Sequence, residues 1–292
     1  MNDARSSRSS LTLPSRSMSL PLSNLVQVFE SLWPVSGAEE WDRPGLTTGR
    51  LDQPVQNVLL AVDVTMAVMA EAVALDCNLI VSHHPLLLKG ANFLAEDQLK
   101  GELVSFAIRN SIALYSAHTN ADVVVGGVSD VLANAIGLRG AAPLVSTSAG
   151  VGHGRIGKLD KPISLLEFAN QVAAILPRSN APVRVSGDLT RLIEKVAVVG
   201  GAGDSFISQA QAQGAQCLVT SDLRHHVSVD ASTDPTNSLS LVDISHYAAE
   251  SLWLGPASEQ LKQALPSVEF LISKIVTDPW SMTILGKSNH EG

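Results

Sequence analysis

One structural plan is written twice in this chain, and that repeat restricts the fold more than any other feature. Val58 to His84 reads as strand, helix, strand, and Val196 to Asp222 reads the same way. In the first copy LLAVDV is an unbroken apolar strand, TMAVMAEAVALD has helical spacing, and NLIVSHH is a second apolar strand ending in polar residues. The second copy runs VAVVGG, DSFISQAQAQGA and CLVTSD. A single offset places Leu79 on Leu218, Ser82 on Ser221 and His83 on Asp222. Two strands joined by a helical crossover pair in parallel, and continuous apolar strands need cover on both faces, so each copy predicts part of a buried parallel sheet.

A second pair of segments extends the repeat. ALYSAHTNAD (113 to 122) and SLVDISHYAAE (240 to 250) are each a strand followed by His-x-x-x-acid, pairing His118 and Asp122 with His246 and Glu250. The expected fold is therefore α/β, with two related α/β lobes. The Gly/Ser/Pro-rich stretch 137 to 154 has linker composition and sets the boundary near 145. The predicted division is a disordered tail at 1–20, a first lobe at 21–145, a second lobe at 146–280 and a C-terminal tail at 281–292. The first tail carries Arg5, Arg8 and Arg16 among serines. That pattern also suits a transit peptide, although a plain tail is the simpler reading.

Composition narrows the partners. With 45% hydrophobic but only 4% aromatic residues the core is aliphatic, as a buried α/β sheet requires. A net charge of -8 opposes phosphate attraction, so no specific nucleic-acid binding is expected. No apolar run approaches the roughly 20 residues that span a bilayer. Only two cysteines, Cys77 and Cys217, occur, both in apolar stretches. They read as buried thiols of a reducing compartment, which predicts a cytoplasmic protein.

In open α/β sheets, polar residues at the carboxyl ends of strands line the ligand crevice. His83, His84, Asp122, His246 and Glu250 all follow strands in this chain. A lone His-His pair or His-x-x-x-Glu is more often structural. Here the imidazoles and acids share one kind of position in a chain with 8 histidines. Mixed imidazole and carboxylate donors suit zinc, iron, manganese or nickel, and they are too many for one open tetrahedral zinc. Two divalent ions per chain are expected.

Weaker candidates surround these. Asp222, His225 and His226 of SDLRHH could reach the same crevice, while His153 and His290 read as exposed. Asp63 could orient a ligand, although capping of the next helix is the safer expectation. GGAG (200 to 203) could cradle an anion, but it lacks a P-loop lysine and the G-x-G-x-x-G spacing, and glycine there also serves a tight turn. No G-x-S-x-G elbow or plausible cysteine nucleophile is present, which disfavours covalent catalysis.

Taken in order, WDRPGLTTG (41 to 49), LLAVDVT (59 to 65), LIVSHHPLLLKG (79 to 90), YSAHTNADVVVGGVSD (115 to 130), VAVVGGAGDSFI (196 to 207), VTSDLRHH (219 to 226) and ISHYAAE (244 to 250) resemble the Nif-three-like dinuclear-metal family. Its members are often labelled GTP cyclohydrolase I type 2 homologs. The resemblance covers 24 to 280, and the ending VTDPW (276 to 280) is similar to compact actinobacterial-type members. It places His83, His84, Asp122, His246 and Glu250 on the family's metal ligands and His118 beside them. It implies a fold of two related α/β lobes with a dinuclear metal site in the crevice between them, a toroidal homohexamer, and a metal-dependent hydrolase acting on a nucleotide or related small molecule, with His118 or His226 moving protons. A non-catalytic metal carrier, chaperone or sensor, and a metal-stabilised scaffold, are equally served by the ligand set. Arg43-Pro44, Ser221 and Ser245 depart from the family's usual residues, with Ser245 standing where glycine commonly precedes the last histidine.

Overall fold

The computed structural model describes residues 19–148, 150–234 and 238–285. Most of the expected N-terminal tail, the last part of the C-terminal tail and His290 lie outside the described residues. The chain begins with β1 (Leu20–Pro21), α1 (Leu22–Leu32), β2 (Gly45–Thr48) and β3 (Pro54–Val55). The first copy of the repeat is β4 (Asn57–Ala61), α2 (Met66–Ala74) and β5 (Leu79–Ser82). Then come α3 (Leu99–Arg109), β6 (Ala113–Ser116), α4 (Thr119–Val123) and α5 (Val128–Ile136). The long strands β7 (Arg139–Ser148) and β8 (Val151–Ser164) follow, with α6 (Leu165–Ile175) and β9 (Arg184–Ser186). The second copy is β10 (Leu192–Ala202), α7 (Ile207–Ala212) and β11 (Cys217–Ser221). The described chain ends with α8 (His225–Thr233), β12 (Ser240–Ile244), α9 (His246–Ala264) and β13 (Glu269–Ile272).

Beside a two-stranded β1–β3 pair, the described residues form two large sheets, in the orders β13-β4-β5-β6-β2 and β7-β8-β10-β11-β12-β9. Within each, the repeat supplies three parallel strands, β4-β5-β6 and β10-β11-β12, and an antiparallel edge strand closes on the last, β2 on β6 and β9 on β12. The likeness of the lobes thus extends to strands that the sequence pattern did not reveal. Alternate strand residues face opposite sides. Val58, Leu60, Leu79 and Val81 pack with α1 and α9, while Leu59, Ala61 and Ile80 pack with α2 and α3. In the second sheet Val196, Val198 and Val219 meet α5 and α6, and Ala197, Val199 and Leu218 meet α7. Helix α9 belongs to both inner cores, contributing Trp253 and Leu254 to one and Ala249 to the other. Both thiols are buried, and burial pushes Cys77 up to about 12.

The stretch 137 to 154 is not a linker. It forms most of the β7–β8 hairpin, and position 145, the expected boundary, falls inside β7. Its glycines serve conformation: Gly140, Gly150 and Gly154 have φ of 60°, 75° and 60°. Glycine-rich composition marks left-handed backbone as readily as it marks a flexible connection. The hairpin also carries Arg155, which is 1% exposed. Its Nε donates to Asp130 at 2.9 Å, Nη1 to the carbonyls of Gly152 and Gly154 at 2.8 and 2.7 Å, and Nη2 to that of Val124 at 2.8 Å. A fixed planar fork satisfies all of these at once. The bonds to Asp130 and Val124 tie the second sheet to the end of α4 and the start of α5. Removing one partner of such a buried pair leaves the other uncompensated. Arg155→Met is expected to lose about 3 kcal/mol in urea unfolding, and Arg155→Met with Asp130→Asn to lose less than the two single changes added together.

Candidate metal centre

Every member of the site lies just past the carboxyl end of a strand. His83 and His84 follow β5, and their backbone N–H groups continue its ladder to Ala61 and Val62. His118 follows β6 and Asp122 lies one turn on in α4. His246 opens α9 after β12, and Glu250 sits one turn further on the same face. Ser245 caps α9 by accepting from Ala248 N at 3.1 Å. That gives a local role to the serine at the position where the resemblance expects glycine.

Glu250 is the centre of the cluster and is 2% exposed. Its Oε1 lies 3.3 Å from His83 Nε2 and 2.8 Å from His246 Nε2, and its Oε2 lies 3.1 Å from His84 Nε2. Asp122 is more peripheral, with Oδ1 3.7 Å from His83 Nε2. Donor atoms of His83, His84 and His118 gather within 4.8 Å of one another, and those of His84, His246 and Glu250 do the same. Two groups that share His84 therefore lie side by side.

The outer side of each ring is equally ordered. His83 Nδ1 contacts the Ala117 carbonyl at 2.8 Å, His84 Nδ1 contacts Asp63 Oδ1 at 2.8 Å, His118 Nδ1 contacts Asp42 Oδ2 at 2.9 Å, and His246 Nδ1 contacts Asp222 Oδ2 at 2.7 Å. An acceptor behind each Nδ1 fixes the tautomer with the proton there and turns Nε2 inward as a donor of electrons. Asp63 is thus an orienting residue. The cap expected of it is supplied by Thr65, which accepts from Val68 N. Asp222 holds His246 from a left-handed backbone with φ of 59°, unusual for a residue with a side chain and at home beside a functional site.

Electrostatics follow from this packing. Burial pulls His84 down, but Glu250 and Asp63 outweigh it and raise the ring to about 10. For His246 the same opposition, with Asp222 in place of Asp63, ends at about 11. Against its own burial, Glu250 is held well below the usual carboxylate range by the three rings around it. Burial pushes Asp122 up. Although burial opposes it, Asp42 is lowered to about 2 by hydrogen bonds from His118 and Thr119.

With the proton of each ring on Nδ1, three buried polar atoms of the cluster have no hydrogen-bond partner: His83 Nε2, Asp122 Oδ1 and Glu250 Oε2. Buried polar atoms are otherwise almost always satisfied. Ligands at about 2.1 Å from a common ion lie about 3.0–3.4 Å apart, and the contacts of His83 and His84 with Glu250, at 3.3 and 3.1 Å, fall in that range. The residues present therefore fit divalent cations.

Other expected members are elsewhere. His226 is exposed on α8 with its ring 5.2 Å from that of His225, and its contacts do not include the cluster. His153 is not exposed as expected: it is half-buried, paired with Glu39 at 3.2 Å and stacked on Phe206. Arg43 folds back onto the carbonyls of Glu40 and Asp42. GGAG lies against the centre, since a Cβ on Gly201 would stand 2.9 Å from Glu250 Oε1 and 3.4 Å from His246 Nε2. A cavity of about 920 Å³ opens beside His84 and His246, with Lys100, Asp222 and Trp280 among its walls. The outer acceptors Asp42, Asp63 and Asp222 share no spacing in the sequence, although Asp63 follows β4 and Asp222 follows β11, each just past a strand's carboxyl end.

Two α/β lobes with a histidine–carboxylate cluster at facing strand ends define an α/β protein with a candidate metal centre. The profile of the Duf34/NIF3 family (NGG1p interacting factor 3) matches residues 20–279, and the chain belongs to that family. A Streptomyces coelicolor relative called "GTP cyclohydrolase 1 type 2 homolog" is 39% identical over 89% of this chain and 93% of its own. A Clostridium perfringens protein of the same description is 35% identical over 89% and 99%. The crystal structure of a Bacillus cereus protein related to NIF3 superposes with a TM-score of 0.85 at 27% identity, covering 90% of this chain and 99% of that one.

Glycine at 201 is required twice, by φ of 76° and by its contact with Glu250, whereas Gly214 has φ of 71° and open space around it. Gly214→Ala is expected to cost about 1–2 kcal/mol for the left-handed backbone alone. Gly201→Ala should cost measurably more in the same urea titration.

Proposed function

We propose that this chain would hold two divalent cations through His83, His84, Asp122, His246 and Glu250, and that it hydrolyses a nucleotide or related small molecule. The observation that carries the reading is the convergence of inward Nε2 atoms, each backed by an acceptor on Nδ1, on one buried carboxylate. The description of the relatives as GTP cyclohydrolase 1 type 2 homologs supports a purine nucleotide as the substrate class. The adjacent cavity is large enough for one.

Two bound cations would lower the pKa of water toward neutrality and polarise the substrate. The chain itself provides the proton path. Asp42, 2% exposed and ionised at neutral pH, fixes the proton of His118 on Nδ1. That leaves His118 Nε2 able to accept a proton from the attacking water and return it to the leaving nitrogen or oxygen. The His118 ring lies 5.3 and 5.4 Å from those of His83 and His84, next to the groups that would hold the ions. His226 has no comparable placement. In a cyclohydrolase reaction the water oxygen would add to the imidazole carbon of guanine, and a ring carbon–nitrogen bond would break.

The homohexamer implied by the resemblance belongs to the same proposal, supported by exposed apolar residues such as Phe93, Leu99 and Ile284. Cytoplasmic placement rests on two buried, unpaired thiols, and no helix among the described residues is long and apolar enough to cross a membrane.

Elemental analysis of protein reconstituted with zinc, iron or manganese should find two ions per chain, and Glu250→Ala well below one. His118→Ala should keep its metal and lose about 10²–10⁴-fold in turnover, assayed with GTP, other nucleotides and phosphodiesters. Metal-loaded wild type that turns over none of these would be a carrier instead.

A further inference from the structure

The segment after β13 leaves the first sheet and runs along the cavity beside the centre, and its hydrogen bonds end on the groups that hold the ligands. Its start is anchored to α2, where Glu71 accepts from Ser273 Oγ and from Lys274 N at 2.9 Å. Thr277 Oγ1 then donates to Asp63 Oδ2, while Asp63 Oδ1 holds His84 Nδ1. The next residue turns to the other lobe: Asp278 Oδ2 accepts from Ser245 Oγ at 2.6 Å and from Ser179 Oγ at 2.5 Å. Further on, Thr283 Oγ1 donates to the Asn180 carbonyl at 2.5 Å.

We propose that Thr277 and Asp278 are positioning residues of the metal centre, clasping the Asp63–His84 pair of the first lobe to the Ser245 cap beneath His246 and Glu250 of the second. This rests on the two-ion reading of the site. Each contact has a definite consequence. A carboxylate bonded through one oxygen can swing about its terminal torsion, which is broad. Thr277 on the second oxygen of Asp63 fixes its plane and with it the direction of His84 Nε2. A serine hydroxyl has one proton and two lone pairs. Giving that proton to Asp278 leaves the lone pairs of Ser245 for Ala248 N, so the first turn of α9 is set where its ligands project. Adjacent residues thereby fix one ligand support from each lobe, 214 and 33 positions away along the chain.

The test uses the full-length protein, stripped of metal by chelation and titrated with Co²⁺. It reads the dissociation constants and the visible d–d absorption, which reports ligand geometry. Thr277→Val keeps the side-chain shape without the donor. It should weaken cobalt binding about tenfold and shift the absorption. Asp278→Ala should act in the same direction, and Thr277→Ser should restore both readouts. Thr283→Val, which breaks only the far bond of the segment, should leave both at wild-type values. Unchanged cobalt affinity and spectrum in Thr277→Val overturns the proposal, and so does equal weakening in Thr283→Val. Wild-type protein that takes up no cobalt overturns the two-ion reading and this inference with it.

Discussion

Glu250 is a buried carboxylate with imidazoles on three sides, and most of the architecture around it can be understood as what such a group demands. An ionised acid in an apolar interior is costly unless opposite charge or metal surrounds it. His83, His84 and His246 supply that surrounding at 3.3, 3.1 and 2.8 Å. They come from both sheets, so the charge can be compensated only when both lobes are in place. Helix α9 makes this possible, because it carries Glu250 on its first turns and buries its later residues against the first sheet.

Around that centre is a shell of acceptors that face the opposite way. Asp42, Asp63, Asp222 and the Ala117 carbonyl each hold one Nδ1. The inner ring of nitrogens is thereby presented without rotational freedom, which favours metal binding because little ordering remains to be done. Arg155 contributes from a distance. Its bonds at the end of α4 fix the helix that bears Asp122, and its own charge is satisfied by Asp130 and four nearby carbonyls.

Much of this was legible in the order of residues. Both β-α-β units stand where the apolar runs placed them, because a strand buried on both faces has a composition that no surface loop shares. His83 and His84 stand at the end of β5, and His246 and Glu250 just past β12, where the strand pattern placed them. The stretch 137 to 154 misled because glycine and serine are common to linkers and to twisted hairpins. Asp63 misled because Asp and Thr before a helix are interchangeable as caps on paper, whereas the structure gives the cap to Thr65 and the histidine to Asp63. His226 follows β11 as His84 follows β5, yet it lies on the exposed start of α8.

By itself, then, the sequence determined the class of fold, its duplication and the imidazoles and carboxylates that sit at strand ends, because periodicity and local spacing act over a few residues and leave a mark in composition. Only the tertiary structure decided that the two strand-end clusters face each other, which oxygen holds which ring, and that Thr277 and Asp278 return to the supports of both lobes. Those pairings join residues far apart in the chain and depend on how the sheets pack across α9. The direction of a single hydrogen bond leaves no pattern in the residues between its partners.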